Sequence, residues 1–128
     1  MDPAPAGERF ARAIAAKDAP ALLEVLAPYV DFRAMTPGRV WEGGSARQIV
    51  DEVILGTWFE TSDEIKSVDR IETEPVADRM RVIYRFNVTN PDGKFLVEQS
   101  AYYETTDDRI SWLRIMCAGY LRVGAPTS

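Results

Sequence analysis

Apolar and polar residues alternate along the second half of the chain, and this alternation predicts four β-strands. The alternating segments are 64–74, 79–89, 94–105 and 109–121. Turn sequences separate them at PVAD (75–78), NPDG (90–93) and TDD (106–108). Because consecutive strands joined by short turns pair antiparallel, we expect one sheet made of successive hairpins.

The hairpin around NPDG has a register that can be predicted from the facing residues. Phe86 faces Val97 on one side of the sheet, and Arg85 faces Glu98 on the other. A shift of one residue would place Phe86 against Glu98, which disfavours any such slip. The register of the last hairpin stays open, because a bulge near its turn would exchange the two faces of the final strand.

Helical spacing of apolar residues predicts three helices before the sheet. They are expected at 8–17, between Asp18 and Pro28, and from Ser45 to about Gly56. Asp18 is a predicted N-cap, and Ser45 with Gln48 forms a capping-box signature. Residues 29–35 alternate and predict a short strand, with a second brief one at 40–41.

The order of these elements predicts the fold. We expect an α+β cone, in which three N-terminal helices pack in the concave face of a strongly curved antiparallel sheet. Residues 8–123 would form this single domain, with a disordered leader at 1–7 and a tail at 124–128.

Composition excludes several kinds of function. With 128 residues and a net charge of −5, the chain has no basic surface for nucleic acid or anionic membranes. It contains no histidine, which excludes histidine-based catalysis and histidine metal sites. Cys117 is the only cysteine, so no disulfide forms within the chain, as is typical of the cytoplasm. We expect neither a cofactor nor a metal.

The predicted registers bring Asp69, Tyr84, Gln99 and Ile115 into one row on the inner face of the sheet. An apolar cavity with a few convergent polar groups is the usual form of a small-molecule site. Asp69 could act there as a base, with Tyr84 and Gln99 as hydrogen-bond partners of the substrate. Alternatively, Asp69 faces water and the other two satisfy each other in the core.

Other side chains are candidates for contact with a small apolar ligand. Arg33 on the short strand could bind a polar ligand group, or it could belong to a solvated face with Asp31. Aromatic residues at element ends or on the inner face could line the cavity or close the core. These are Trp41, Trp58, Phe86 and Tyr103.

The outer face of the sheet is predicted to carry a homodimer surface. Tyr102, Trp112, Arg114 and Met116 share that face. Large aromatics with Arg and Met are typical of protein interfaces. The alternative is an isolated aromatic pair that stabilises a hairpin.

The element order and three segments resemble the nuclear transport factor 2-like (cystatin-like cone) superfamily, including its SnoaL-like polyketide cyclase group. The segments are RFARAIAAKDAPALLEVLAPYVDFRAMTPG, WEGGSARQIVDEVILGTWF and FLVEQSAYYETTDDRISWLRIMCAGYLRV. The resemblance covers nearly all of residues 8–123. It implies a cone with an internal pocket, in a group whose members include isomerases, dehydratases, epoxide hydrolases, cyclases and non-catalytic binding modules.

The catalytic residues of that superfamily match this chain poorly. The isomerases' helical Tyr falls near Phe10, their base near Ala34 and their protonated Asp near Gln99. The epoxide hydrolases' acid–arginine–acid set could be imitated only in part, by Asp69 with Arg33, or with Arg114 if a bulge exchanges the faces of the last strand. Two hypotheses follow: a cofactor-free isomerase, cyclase or hydrolase of a small apolar substrate, or a non-catalytic ligand-binding or structural homodimer.

Overall fold

A computed structural model describes residues 5–123 of the chain. Its helices are α1 (Ala6–Ala15), α2 (Ala19–Val25) and α3, which begins with one α-helical turn (Ala46–Gln48) and continues as a π-helix (Ile49–Trp58). The strands are β1 (Leu26–Thr36), β2 (Arg39–Ser45), β3 (Glu64–Val76), β4 (Arg79–Asn90), β5 (Gly93–Thr106), β6 (Arg109–Cys117) and β7 (Leu121–Arg122).

The helices begin where the sequence predicts capping residues. The Asp18 side chain accepts a hydrogen bond from the Ala21 N–H at 3.1 Å, and Ser45 Oγ accepts one from the Gln48 N–H at 3.2 Å. The Gln48 side chain bonds back to the Gly44 N–H at 3.3 Å. Helix α2 ends at Val25, before Pro28, because the chain enters β1 at Leu26.

The N-terminal boundary differs from the prediction. Helix α1 already includes the last two residues of the predicted leader, 6–7, and both are buried. Residues 1–4 of that leader and the predicted tail at 124–128 lie outside the described residues.

All the main strands belong to one curved sheet in the order β2-β1-β6-β5-β4-β3, with β7 added beside β5. Every pair is antiparallel except β1 with β6, which is parallel. The parallel pair joins β1, the first strand of the chain, to β6, the last long strand, which is far from it in sequence. The helices cover the concave face, so the predicted α+β cone is confirmed.

The predicted register of the β4–β5 hairpin is confirmed. Phe86 pairs with Val97 and Arg85 with Glu98. The Arg85 guanidinium lies 2.9 Å from the Glu98 carboxylate on the outer face. Charge pairing and apolar pairing thus agree on one register, as expected for a half-buried sheet.

The predicted row requires Tyr84 opposite Asp69 and Gln99 opposite Ile115, but their partners are Ile71 and Cys117, so each flanking hairpin is displaced by two residues. The β3–β4 turn has only two residues, and Ala77 adopts a φ of 55°. The β5–β6 turn is also a two-residue loop, with Asp107 and Asp108 both at positive φ, and the ladder beside it has a bulge between Glu104 and Thr105. Displacement by two keeps each strand's inner and outer faces but changes which residues stand side by side.

The core lies between the helices and the concave side of the sheet. Helix α1 inserts Phe10 and Ile14, both fully buried, against the sheet. The Phe10 ring meets Tyr84 edge to face at a centroid distance of 6.2 Å. Because side chains fill most of the cone, only a small internal space remains for a ligand. No helix among residues 5–123 is long and apolar enough to cross a membrane.

Candidate ligand cavity

A cavity of about 160 Å³ lies inside the cone, between the end of α3, the middle of the sheet and the chain that follows β6. Its wall combines apolar and aromatic side chains with a few polar groups. The lining residues are Thr36, Thr57, Trp58, Phe59, Val97, Gln99, Cys117, Gly119 and Tyr120. This set has the form expected of a small-molecule site.

Gln99 is the most deeply buried polar residue in this wall, with 1% of its surface exposed. Its carboxamide oxygen accepts a 2.5 Å hydrogen bond from the Tyr84 hydroxyl, which is fully buried. A phenol that donates to the oxygen fixes the orientation of the amide. No hydrogen bond among the described residues uses the Gln99 N–H₂ group, so Gln99 brings two free donors to the cavity wall.

The Tyr84 hydroxyl is held in its neutral form. Burial, and to a smaller extent the neighbouring Cys117, raises the pKa of Tyr84 well above its ordinary value. A neutral phenol can donate to Gln99, whereas a phenolate could not. The protonation state of Tyr84 therefore supports the amide orientation.

Trp58 forms the aromatic wall at the end of α3. The side chain is 7% exposed and meets Trp41 edge to face at 6.0 Å. Its indole Nε1 is buried and has no hydrogen-bond partner among the described residues. Trp58 is the last residue of the π-helical segment of α3, and π-helical turns are frequent at functional sites.

Tyr120 closes the cavity from the chain that follows β6. Its hydroxyl donates a 2.5 Å hydrogen bond to the Trp58 carbonyl oxygen. Burial first, and then the nearby Asp63 carboxylate, raises the pKa of Tyr120, which stays protonated as this bond requires.

Asp63 is the only charged residue that is buried among those described. Its carboxylate accepts hydrogen bonds from Asn90 Nδ2 at 2.9 Å and from the Glu60 N–H at 3.3 Å. It holds the start of β3 but is not part of the cavity wall. The turn-forming run 61–63 before a strand is a sequence signal for such a group, although Asp63 was not predicted as a buried residue.

The predicted position of Asp69 is wrong. A bulge between Val68 and Arg70 turns Asp69 to the outer face, where it is exposed. There it bonds to the Ser67 hydroxyl at 2.9 Å and to the Asn87 side chain. The row that contains Tyr84 and Gln99 is completed by Ile71 and Cys117, in place of Asp69 and Ile115.

Among the five predicted ligand-binding residues, the structure places only Trp58 in the cavity wall. Arg33 is exposed on the outer face, 3.9 Å from Glu42, which is the solvated position given as the alternative to a ligand contact. Trp41 lies behind Trp58 and donates to Thr36 Oγ1 at 2.8 Å.

Phe86 and Tyr103 are buried on the inner face, but both serve the core. Phe86 stacks on Tyr84 at 5.3 Å and meets Phe59 at 5.8 Å. The Tyr103 hydroxyl accepts a 3.0 Å hydrogen bond from the Gly7 N–H and joins α1 to the sheet. Phe86 therefore supports the cavity from behind, while Tyr103 lies away from it.

The predicted interface residues do share the outer face. Met116 is 59% exposed, and Tyr102 is 37% exposed. The Trp112 ring lies between two guanidinium groups, those of Arg79 at 4.1 Å and Arg114 at 4.5 Å. An apolar groove of about 340 Å³ crosses this face, lined by Arg33, Ala34, Met35, Val40, Ser100, Tyr102, Arg114, Ile115 and Met116.

Several solved structures share this architecture at low sequence identity. A proposed isomerase from Bacillus subtilis superposes with a TM-score of 0.69 at 14% identity, over 88% of this chain and 83% of that one. An LEH-like epoxide hydrolase from M. tuberculosis superposes with a TM-score of 0.64 at 13% identity, over 88% of this chain and 79% of that one. A proposed polyketide cyclase from Pseudomonas putida superposes with a TM-score of 0.65 at 13% identity, over 88% of this chain and 91% of that one.

This chain has the nuclear transport factor 2-like fold. No family model matches its sequence, and comparison with curated protein sequences finds no match. At such identities the nuclear transport factor 2-like fold fixes the cone and its internal cavity but no chemistry. Function has to be argued from the residues of the cavity itself.

Within this fold, seven of the nine lining residues were not predicted as site residues, and three of the seven come from the end of β6 and the chain after it: Cys117, Gly119 and Tyr120. The Cys117 sulfur accepts a hydrogen bond from the Gly119 N–H at 3.4 Å. Gly119 and Tyr120 follow the end of β6, where the predicted strand continued to 121. The glycine was the signal for a break in the strand. Among residues 5–123, no group of three or more Cys, Asp or Glu side chains could hold a metal ion.

Proposed function

We propose that this protein binds a small, neutral, mostly apolar molecule in the cone cavity. The observation that carries the proposal is the orientation of Gln99, whose oxygen is occupied by Tyr84 and whose N–H₂ group is not. A ligand with an acceptor oxygen would take a hydrogen bond from this group, worth about 0.5–1.5 kcal/mol. None of the described lining residues is charged, which disfavours an ionised ligand.

The size of the cavity sets the size of the ligand. Its volume of about 160 Å³ is close to that of an engineered apolar cavity, of about 150 Å³, that binds benzene. A single six-membered ring with one carbonyl oxygen fits both this volume and the free donors of Gln99. Cyclohexanone is therefore a suitable probe.

Thermal unfolding with three ring compounds tests the proposal. We expect cyclohexanone to raise Tm, methylcyclohexane to raise it less, and cyclohexanecarboxylate to leave it unchanged. Gln99→Leu should abolish the preference for cyclohexanone over methylcyclohexane. The same change at the exposed Gln48 is the matched control and should keep the preference. If none of the compounds stabilises the protein, the proposal is wrong.

Cofactor-free catalysis is the second candidate function. Structures with the same fold include an epoxide hydrolase and proposed isomerases and cyclases, which favours it. However, no carboxylate lines the cavity among the described residues, and the predicted base Asp69 lies outside the cone. Binding without acid–base chemistry is therefore supported better.

Proton exchange separates the two candidates. A base positioned at a bound ketone would exchange the α-protons of cyclohexanone with deuterium, and NMR in D₂O measures that exchange. We expect binding with exchange no faster than in buffer. Exchange that the protein accelerates, and that Gln99→Leu reduces, would instead favour an enzyme; hydrolysis of cyclohexene oxide tests the epoxide reaction in parallel.

We also propose that the outer face of the sheet joins two copies of the chain. Met35, Val40 and Met116 are each more than half exposed, and they lie together along the apolar groove. Exposed contiguous apolar surface of this kind marks an interaction site. Arg114 is held across it by Asp31 at 3.1 Å, which supplies a polar rim.

The molar mass in solution tests the dimer. Light scattering during size-exclusion chromatography should give twice the chain mass of 14.4 kDa. Met116→Glu should shift the protein to monomer, because it places a charge in the apolar groove. Tyr29→Glu, at a residue that is 83% exposed outside the groove, is the control and should remain dimeric. A monomeric wild type at high concentration would contradict the dimer.

The cellular location is part of the proposal as well. We infer a cytoplasmic protein because its single cysteine offers no disulfide to an oxidising compartment. Fractionation of cells that express the full chain would test this, and recovery from a membrane or secreted fraction would contradict it.

A further inference from the structure

We propose that residues 118–123, here called the C-terminal strap, open and close over the cavity and control access to it. The strap supplies one wall of the cavity through Gly119 and Tyr120. The other walls belong to long strands of the sheet, to helix α3 and to Phe59 directly after it. The inference concerns the cavity of the proposed function, but its test needs no ligand.

The strap is the most weakly attached of these walls. Its only ladder is β7, where Leu121 pairs with Leu96 and Arg122 pairs with Phe95. The Val123 N–H adds one hydrogen bond to the Lys94 carbonyl oxygen at 3.1 Å. A segment with few buried contacts and a short ladder opens at a lower free energy than the strands beneath it.

A small set of side-chain contacts holds the strap closed. The Tyr120 hydroxyl bonds to the Trp58 carbonyl oxygen at 2.5 Å, and its ring packs on Phe95 at 5.6 Å. Arg122 donates to the Asp92 carbonyl oxygen at 3.0 Å, and its guanidinium lies 5.0 Å from the Phe95 ring centre. These contacts can break together without disturbing the main sheet.

Gly119 is the point at which the strap turns away from β6. Its φ of 92° lies in the left-handed region that favours glycine. A Cβ there would stand 2.9 Å from Pro37 Cγ, so the closed strap also needs the space that glycine leaves. The position is suited to a hinge, because glycine adopts alternative backbone conformations without steric cost.

Cys117 offers a direct report of strap opening. It is the only cysteine of the chain, it lines the cavity and it is 8% exposed. Its alkylation by iodoacetamide under native conditions requires the reagent to reach the cavity. We expect alkylation of the folded protein to be far slower than that of the urea-unfolded chain, yet faster than global unfolding allows.

The decisive variant is Tyr120→Phe, which removes one hydroxyl and leaves the ring. Loss of that hydrogen bond should raise the alkylation rate about threefold to tenfold. Tyr29→Phe removes a hydroxyl from an exposed tyrosine outside the strap and should leave the rate unchanged. Arg122→Ala, at an exposed residue, is a second variant that should raise the rate without risk to the fold.

Urea denaturation of each variant supplies the reference for global unfolding. The proposal that the strap opens is wrong if Cys117 of Tyr120→Phe and Arg122→Ala is alkylated at the wild-type rate. It is also wrong if the alkylation rates of these variants follow the globally unfolded population alone. It is also wrong if wild-type Cys117 reacts as fast as the unfolded chain. Because no ligand is used, failure of ligand binding and failure of the strap are separate outcomes.

Discussion

The Tyr84 hydroxyl donates a hydrogen bond of 2.5 Å to the carboxamide oxygen of Gln99, across neighbouring strands in the centre of the cone. Both residues are almost completely buried. The pair has two effects: it satisfies polar atoms that water cannot reach, and it fixes which end of the amide is free for a ligand. Its energetic and functional roles can be measured separately.

The free energy of unfolding should show strong coupling between these two residues. Tyr84→Phe leaves the Gln99 oxygen without its donor, and Gln99→Leu leaves a buried hydroxyl unpaired; each should cost about 1–3 kcal/mol. The double variant removes both polar groups and should cost less than the sum of the single changes. Urea denaturation measures all four proteins. Additive costs would show that the bond contributes nothing specific.

Stability should also decrease at alkaline pH because of Tyr84. Burial raises its pKa in the folded protein, so above pH about 10 the unfolded chain releases a proton that the folded protein retains. The contribution is complete below the unfolded pKa and falls by about 1.4 kcal/mol per pH unit above it. Denaturation curves between pH 9 and about 11.5 measure the slope. Tyr84→Phe should reduce the slope by about one proton; an unchanged slope would contradict the assignment.

The contact between helix α1 and the sheet leads to a third prediction. A Cβ at Gly7 would stand 2.7 Å from Tyr103 Cε1 and 2.9 Å from Val82 Cβ. Gly7→Ala should therefore displace the helix and cost about 1–3 kcal/mol of unfolding free energy. Gly44→Ala, at a glycine with no atom within 4 Å of its Cβ position, is the matched control. Equal effects of the two substitutions would contradict this account of the packing.

The faces of the strands were predictable from the sequence because they depend only on alternation. Phe86 and Val97 had to face the core together, and any slip would have buried Glu98. The exact partners across the outer hairpins depended on turn length. A two-residue turn at Ala77 and a bulge after Glu104 each move the register, and neither leaves a clear signal in composition.

The candidate site was predictable only where it rests on the confirmed register. Tyr84 and Gln99 were placed together correctly because β4 and β5 carry them. Asp69 was misplaced because a single unpaired residue in β3 reverses the direction of its side chain. Tyr120 reaches the cavity through the backbone turn at Gly119, a tertiary relationship that alternation along one strand does not contain.

Asp63 and Asp69 provide the last prediction, because Asp63 is buried and Asp69, which was expected to be inside the cone, is exposed. Asp63 is 7% exposed and bonds to Asn90 Nδ2 and the Glu60 N–H, whereas Asp69 bonds to its neighbours at the exposed surface. Asp63→Ala should cost about 1–3 kcal/mol, because it leaves two partly buried donors unpaired. Asp69→Ala should change the unfolding free energy by less than about 0.5 kcal/mol, as is usual for surface substitutions. Urea denaturation decides between them. A larger loss for Asp69→Ala would mean that Asp69 is buried after all, and would restore the sequence-based hypothesis that it faces the inside of the cone.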